Sequence, residues 1–153
     1  MTARARRRLG QGLRVVLVVI GSAPFWVPLV ERAPGLAWLA HAFDAWFSLH
    51  CHRDADRSLA IARLVLPVCV RCSGIYVGLG LGALIARPQL SASYTRLWVG
   101  LAALIMVLDV LTELLSMRPE WALLRAFTGV LLGYPVGAAL VNGALGETSG
   151  ARP

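Results

Sequence analysis

Residues 13–30, 67–86, 97–117 and 121–141 form nearly unbroken apolar runs of 18 to 21 residues each. In water, helices of this kind would have to be buried on every side, and a chain of 153 residues has too little interior for that. About 20 apolar residues in a helix cross the roughly 30 Å hydrocarbon core of a bilayer. The runs therefore predict an all-α, polytopic membrane helical bundle. The composition, 58% hydrophobic and only 15% charged, points the same way.

The segments between the runs decide the organisation. Residues 36–50 are amphipathic: Leu36, Leu39, Phe43, Trp46 and Phe47 share one helical face, while His41, Asp44 and Ser48 share another that leads to Cys51-His52. Such a helix either lies in the membrane interface or makes a short, polar-striped span. The bundle accordingly has four or five helices. Pro24 and Pro28 are expected to kink the end of the first span, and Pro34-Gly35 breaks the chain after it. Arg53, Asp54, Asp56, Arg57, Ser58 and Arg63 mark residues 53–63 as lying outside the hydrocarbon. Pro67 suits the first turn of the helix that follows, which Arg87-Pro88 ends. The expected organisation is a basic N-terminus (1–12), one membrane-embedded domain (13–142) and a small, polar, disordered tail (143–153).

The net charge is +7, and every Lys/Arg cation is an arginine. Arg4, Arg6, Arg7 and Arg8 precede the first run and Arg14 sits at its start, which predicts a cytoplasmic N-terminus under the positive-inside rule. The arginines make no stripe with interleaved aromatics, so nucleic acid is not an expected partner; the lipid bilayer is. The N-terminus also has the outline of a signal peptide, with Gly21-Ser22-Ala23 after an apolar stretch. However, Phe25, Trp26, Val27 and Leu29 continue the apolar character, and an uncleaved first span in a bacterial plasma (inner) membrane is the expectation. Loop charges leave the sidedness of the remainder open: Arg53, Arg63 and Arg118 on one face balance Arg87, Arg96 and Arg152 on the other.

Two runs carry a glycine at every fourth position: Gly74, Gly78 and Gly82 in one, Gly129, Gly133 and Gly137 in the other. Small-residue faces let helix backbones approach closely in lipid. Each face is headed by an arginine, Arg71 and Arg125. A further run holds Asp109 and Glu113 one turn apart, and two carboxylates at hydrocarbon depth must be protonated, paired or bound to a cation. Arg71 and Arg125 are candidate partners, and span counting brings all four toward one membrane face. With Arg57, Ser58, Ser73 and Thr128, the same arginines are also candidates for holding a lipid phosphate.

Cys69 and Cys72 form a C-x-x-C, and Cys51-His52 lies upstream, at the same predicted face. Three thiolates and one imidazole make a closed tetrahedral site for zinc or another thiolate-preferring metal; His50 is a substitute for His52. A C-x-x-C in the first turn of a helix beside Arg71 is equally the arrangement of a thiol–disulfide oxidoreductase, with Cys51 as a third thiol. A third reading makes the cysteines small buried packing residues.

Cys51-His52, Arg57-Ser58 and Pro67-Val68-Cys69-x-Arg71-Cys72-Ser73-Gly74-Ile75-Tyr76-x-Gly78 together resemble a family of small bacterial and archaeal predicted membrane proteins, a domain of unknown function (DUF2085). Asp109, Arg125, Thr128 and Gly129 fit later parts of its pattern. Arg53 and Glu113 stand where the pattern has glutamine; Glu113 adds a charge to the cluster, so hydrogen bonding that is neutral in the family is expected to be ionic here. The resemblance implies a membrane location and nominates these residues; it implies no activity.

Overall fold

The computed structural model describes residues 2–51, 57–61, 64–86, 92–117 and 119–145. Five helices and one hairpin follow in order: α1 (Ala3–Val30), α2 (Ala37–Ser48), β1 (Ser58–Ile61), β2 (Leu64–Cys69), α3 (Val70–Ile85), α4 (Ala92–Leu114) and α5 (Ala122–Leu145). The architecture is the expected helical membrane bundle, with α1, α4 and α5 long and apolar enough to cross a bilayer. Its outer surface is greasy: Val15, Val16 and Val19 on α1 and Leu101, Leu104, Leu108 and Leu111 on α4 are exposed. Its interior holds polar groups, with Ser73, Asp109, Arg125, Thr128 and Asn142 all buried. This inversion of the soluble pattern is what a lipid solvent selects.

Helix α1 begins at Ala3, capped by the Thr2 hydroxyl, which accepts from the Ala5 N–H at 3.4 Å. The basic segment is thus the first turns of a 28-residue helix that continues through Pro24 and Pro28. Helix α2, with 12 residues, is about 18 Å long and too short to cross. It lies against α1 and α3 instead, held by Trp26 packed edge-on to Phe43 (4.9 Å), by Phe47 on Tyr76 (5.5 Å), and by the Trp46 indole N–H donating to the Tyr76 hydroxyl at 3.3 Å. Four helices that run through the bundle place its termini together, and Gly10 near the start of α1 indeed faces Leu145 at the end of α5.

The hairpin corrects the expectation of a helix from Pro67. Ser58 pairs with Cys69, Ala60 with Val65 and Ile61 with Leu64, antiparallel, with an irregularity between Ser58 and Ala60. Pro67 lacks a backbone N–H, which a two-stranded ribbon tolerates because each strand has a free edge. Helix α3 then starts at Val70. At its other end, α5 continues through Asn142 to Leu145, beyond the expected end of the span.

Helices α3 and α5 lie parallel along their glycine faces. A Cβ on Gly74 would strike the Ala126 carbonyl, one on Gly78 the Val130 carbonyl, and one on Gly82 the Tyr134 carbonyl. Reciprocally, Gly129, Gly133 and Gly137 meet the carbonyls of Arg71, Ile75 and Leu79. The steady advance of partners along both helices fixes the parallel direction. It also puts Arg71 and Arg125, at the heads of the two faces, side by side.

Candidate metal centre and the adjoining charge cluster

The three cysteines come from three different backbone situations. Cys51 follows α2, its N–H donating to the Phe47 carbonyl at 2.9 Å. Cys69 ends β2 and, still extended (φ −65°, ψ 162°), serves as the N-cap of α3. Cys72 lies in the first turn of that helix. Their sulfurs lie within 4.8 Å of one another, and the Cys69 backbone N–H donates to the Cys51 Sγ at 3.2 Å. At a metal–sulfur distance of about 2.3 Å, tetrahedral ligands stand about 3.8 Å apart, so the spacing suits one ion. Cys51 and Cys72 pack against the buried cluster of Ala23, Val27, Ala40, Phe47 and Val68, which makes the surroundings apolar. Hydrogen bonding between the two thiols pulls Cys69 down, against the opposing effect of burial, and the same bond, with burial, pushes Cys72 up, so the pair favours one thiolate, on Cys69.

Among the described residues, the three cysteines alone gather as a potential ligand set. His52 lies outside the described residues. His50 does not join the thiols: its Nδ1 is 3.0 Å from the Trp46 carbonyl and its ring rests on the Trp46 indole at 4.9 Å. His41 is placed elsewhere, lining a cavity of about 320 Å³ with Glu31, Asp44 and Ser58.

Arg71, between the two cysteines of the C-x-x-C, reaches α4. Its Nη2 donates to Asp109 Oδ2 at 2.7 Å and to Glu113 Oε2 at 3.2 Å. Arg125 grips Glu113 through Nε (2.8 Å) and Nη2 (2.5 Å). The Thr128 hydroxyl lies 3.2 Å from Asp109 Oδ2 and 3.1 Å from the Arg125 carbonyl. Glu113 is on average 10% exposed at its side chain, Arg125 6% and Asp109 3%, so these charges are held inside the bundle by one another.

At the rim, Arg57 Nη2 pairs with Glu120 Oε1 at 2.9 Å, and Glu120 Oε2 pairs with Arg125 Nη2 at 3.0 Å. Glu120 is a cluster member that sequence reasoning missed. Its available signal was an acidic residue beside the belt residue Trp121, at the end where Arg125 begins its helix. Ser58 lines the cavity beside His41, and the buried Ser73 hydroxyl has no hydrogen-bond partner among the described residues. The thiols and the charges thus sit back to back at the head of α3, Cys72 turned to α1 and α2 and Arg71 to α4 and α5.

The comparisons with known proteins agree with this architecture. The DUF2085 family, described as a predicted membrane protein, matches residues 51–139, from the first cysteine to beyond the last glycine of the α5 face. An uncharacterized protein of Methanocaldococcus jannaschii is 31% identical over 118 residues, covering 74% of this chain and 76% of its own length. An uncharacterized protein of Methanothermobacter thermautotrophicus is 33% identical over 99 residues, covering 63% of this chain and 86% of its own. No solved structure matches the chain. The chain belongs to the DUF2085 family of predicted membrane proteins.

Proposed function

We propose that this member of the family binds one thiophilic metal ion, zinc foremost, through Cys51, Cys69 and Cys72, with His52 as the fourth ligand. The observation that carries the reading is the meeting of three sulfurs within 4.8 Å, supplied by two separate segments, Cys51 after α2 and the C-x-x-C at the head of α3. Chance packing of small apolar side chains gives no reason for all three cysteines of the chain to converge. The N–H donated to Cys51 Sγ favours a thiolate there, the form that ligates a metal. A site closed by three thiolates and an imidazole would be structural, tying the end of α2, the hairpin and the head of α3 into one unit.

A second reading, a thiol–disulfide oxidoreductase working through Cys69 and Cys72, draws on the lowered Cys69 value. The two are separated by replacing Cys51, Cys69 and Cys72 with serine and His52 with alanine, one at a time. A metal centre loses its zinc in all four variants, and their unfolding midpoints fall together. An oxidoreductase tolerates His52→Ala, and the parent then shows a reversible Cys69–Cys72 disulfide in membranes and no zinc.

The site is proposed to lie at the extracytoplasmic face of the plasma (inner) membrane. The basic start of α1 favours a cytoplasmic N-terminus, and with α2 read as interfacial and the 16-residue α3 read as a crossing beside α1, α4 and α5, the chain crosses four times. A membrane-impermeant maleimide applied to intact cells should label Met117→Cys above the parent's background and leave Ser93→Cys unlabelled until the cells are opened. The reverse pattern would place the site in the cytoplasm.

A further inference from the structure

The arginines at the head of the bundle are unequal. Arg71 is committed to Asp109 and Glu113, and the Arg125 fork closes on Glu113. The two cations and two carboxylates of this inner group cancel. At its rim stand Arg57 and Glu120, each about half exposed at 48% and 49%, with Arg57 Nη1 also 3.8 Å from Glu113 Oε1. Glu120 does more than pair with Arg57. One of its oxygens takes Arg57 Nη2 at 2.9 Å, and the other takes Arg125 Nη2 at 3.0 Å. A single carboxylate thus bridges two guanidiniums from different elements, the hairpin and α5. Its neighbour Trp121 is 59% exposed, as a residue of the aromatic belt is expected to be at headgroup depth.

We infer that Arg57 and Arg125 form a cradle for a phosphate group at the membrane interface, and that Glu120 is its built-in occupant. Bridging two guanidiniums through two oxygens is what a phosphate does at least as well as a carboxylate. A phosphodiester carries one negative charge, the same as Glu120, so the exchange leaves the balance of the cluster unchanged. The Arg57 arm of the present occupant is weakly held, because a half-exposed ion pair contributes little. Phosphate is the anionic group abundant at this depth, whether on a lipid headgroup or free in the adjoining water. This cradle is narrower than an arginine cluster open to phosphate as a whole: Arg71 takes no part in it, and Thr128 is turned to Asp109.

The test uses the full chain purified in detergent, as parent, Glu120→Ala, Glu120→Gln, and Arg57→Ala combined with each. A short-chain phosphatidylglycerol and inorganic phosphate are titrated separately at matched ionic strength, and the shift of the unfolding midpoint is read. Removing the occupant should tighten phosphate binding by about fivefold over the parent. Adding Arg57→Ala should abolish the gain. Tightening by phosphatidylglycerol alone assigns the cradle to lipid headgroups, and tightening by inorganic phosphate as well assigns it to free phosphate. The Gln variant, close in shape to glutamate, keeps the test alive if Glu120→Ala folds poorly. Neither Glu120 variant binding more tightly than the parent, or the gain surviving Arg57→Ala, would overturn the inference. None of these readouts depends on the cysteines, so the metal reading stands or falls separately.

Discussion

Replacing Arg125 with alanine should lower the stability of the detergent-solubilised protein by about 3–5 kcal/mol. Arg125 is 5% exposed and closes on Glu113 through two of its nitrogens. Without it, Glu113 keeps Arg71 at 3.2 Å, a contact that Asp109 shares at 2.7 Å. Two carboxylates would then share Arg71 and the half-exposed Arg57, whose Nη1 is 3.8 Å from Glu113 Oε1, and an under-paired buried charge is the costly outcome. Adding Glu113→Gln should recover part of the loss, because a neutral amide does not need a guanidinium. An Arg125→Ala protein as heat-stable as the parent would show that the pair contributes nothing to the fold.

Gly133→Ala should destabilise by about 1–3 kcal/mol, although in an unpacked helix the same change is worth about 1 kcal/mol in the stabilising direction. The sign therefore reports the packing. A Cβ at Gly133 meets the backbone of Ile75 and the Leu79 nitrogen, and neither helix can yield without the α3–α5 seam opening. Gly100 supplies the control. It lies on the exposed side of α4 with nothing within 4 Å of an added Cβ, and Gly100→Ala should be neutral or mildly stabilising. Equal responses at the two positions, read from unfolding in detergent, would mean that the glycine faces do not hold the bundle together.

Much of this architecture is legible in the chain because lipid makes the signals simple. Long apolar runs mark helices whatever their neighbours, the glycine spacing of four marks two faces, and carboxylates at 109 and 113 announce that cations must be near. Span counting then brings Arg71 and Arg125 to the same face as those carboxylates, and the ion pairs of the structure join these residues. The hairpin was not legible. Leu64-Val65-Leu66-Pro67-Val68-Cys69 is too short an apolar run to separate strand from helix by periodicity, and Pro67 suits a first helical turn as well as a free strand edge. The strand matters, since it delivers Cys69 to the N-cap of α3 and aligns it with Ser58. Glu120 was hidden for a different reason: an acidic residue in a short polar turn reads as solvated, and only the tertiary approach of the hairpin to α5 gives it two arginines. Over residues 36–50 the structure has a 12-residue helix, shorter than hydrocarbon requires, and α3 at 16 residues is also shorter than a full span.

The central claim is that Cys51, Cys69 and Cys72 act as one ligand set. It is tested most directly by measuring, on the same detergent-purified sample of the parent protein, metal content by plasma mass spectrometry and thiol reactivity before and after a strong chelator. A metal centre predicts about one zinc per chain, with the thiols protected until the chelator removes the metal and all three cysteines reactive afterwards. Zinc at background level, with the thiols freely reactive from the start or two of them locked in a disulfide, would contradict it.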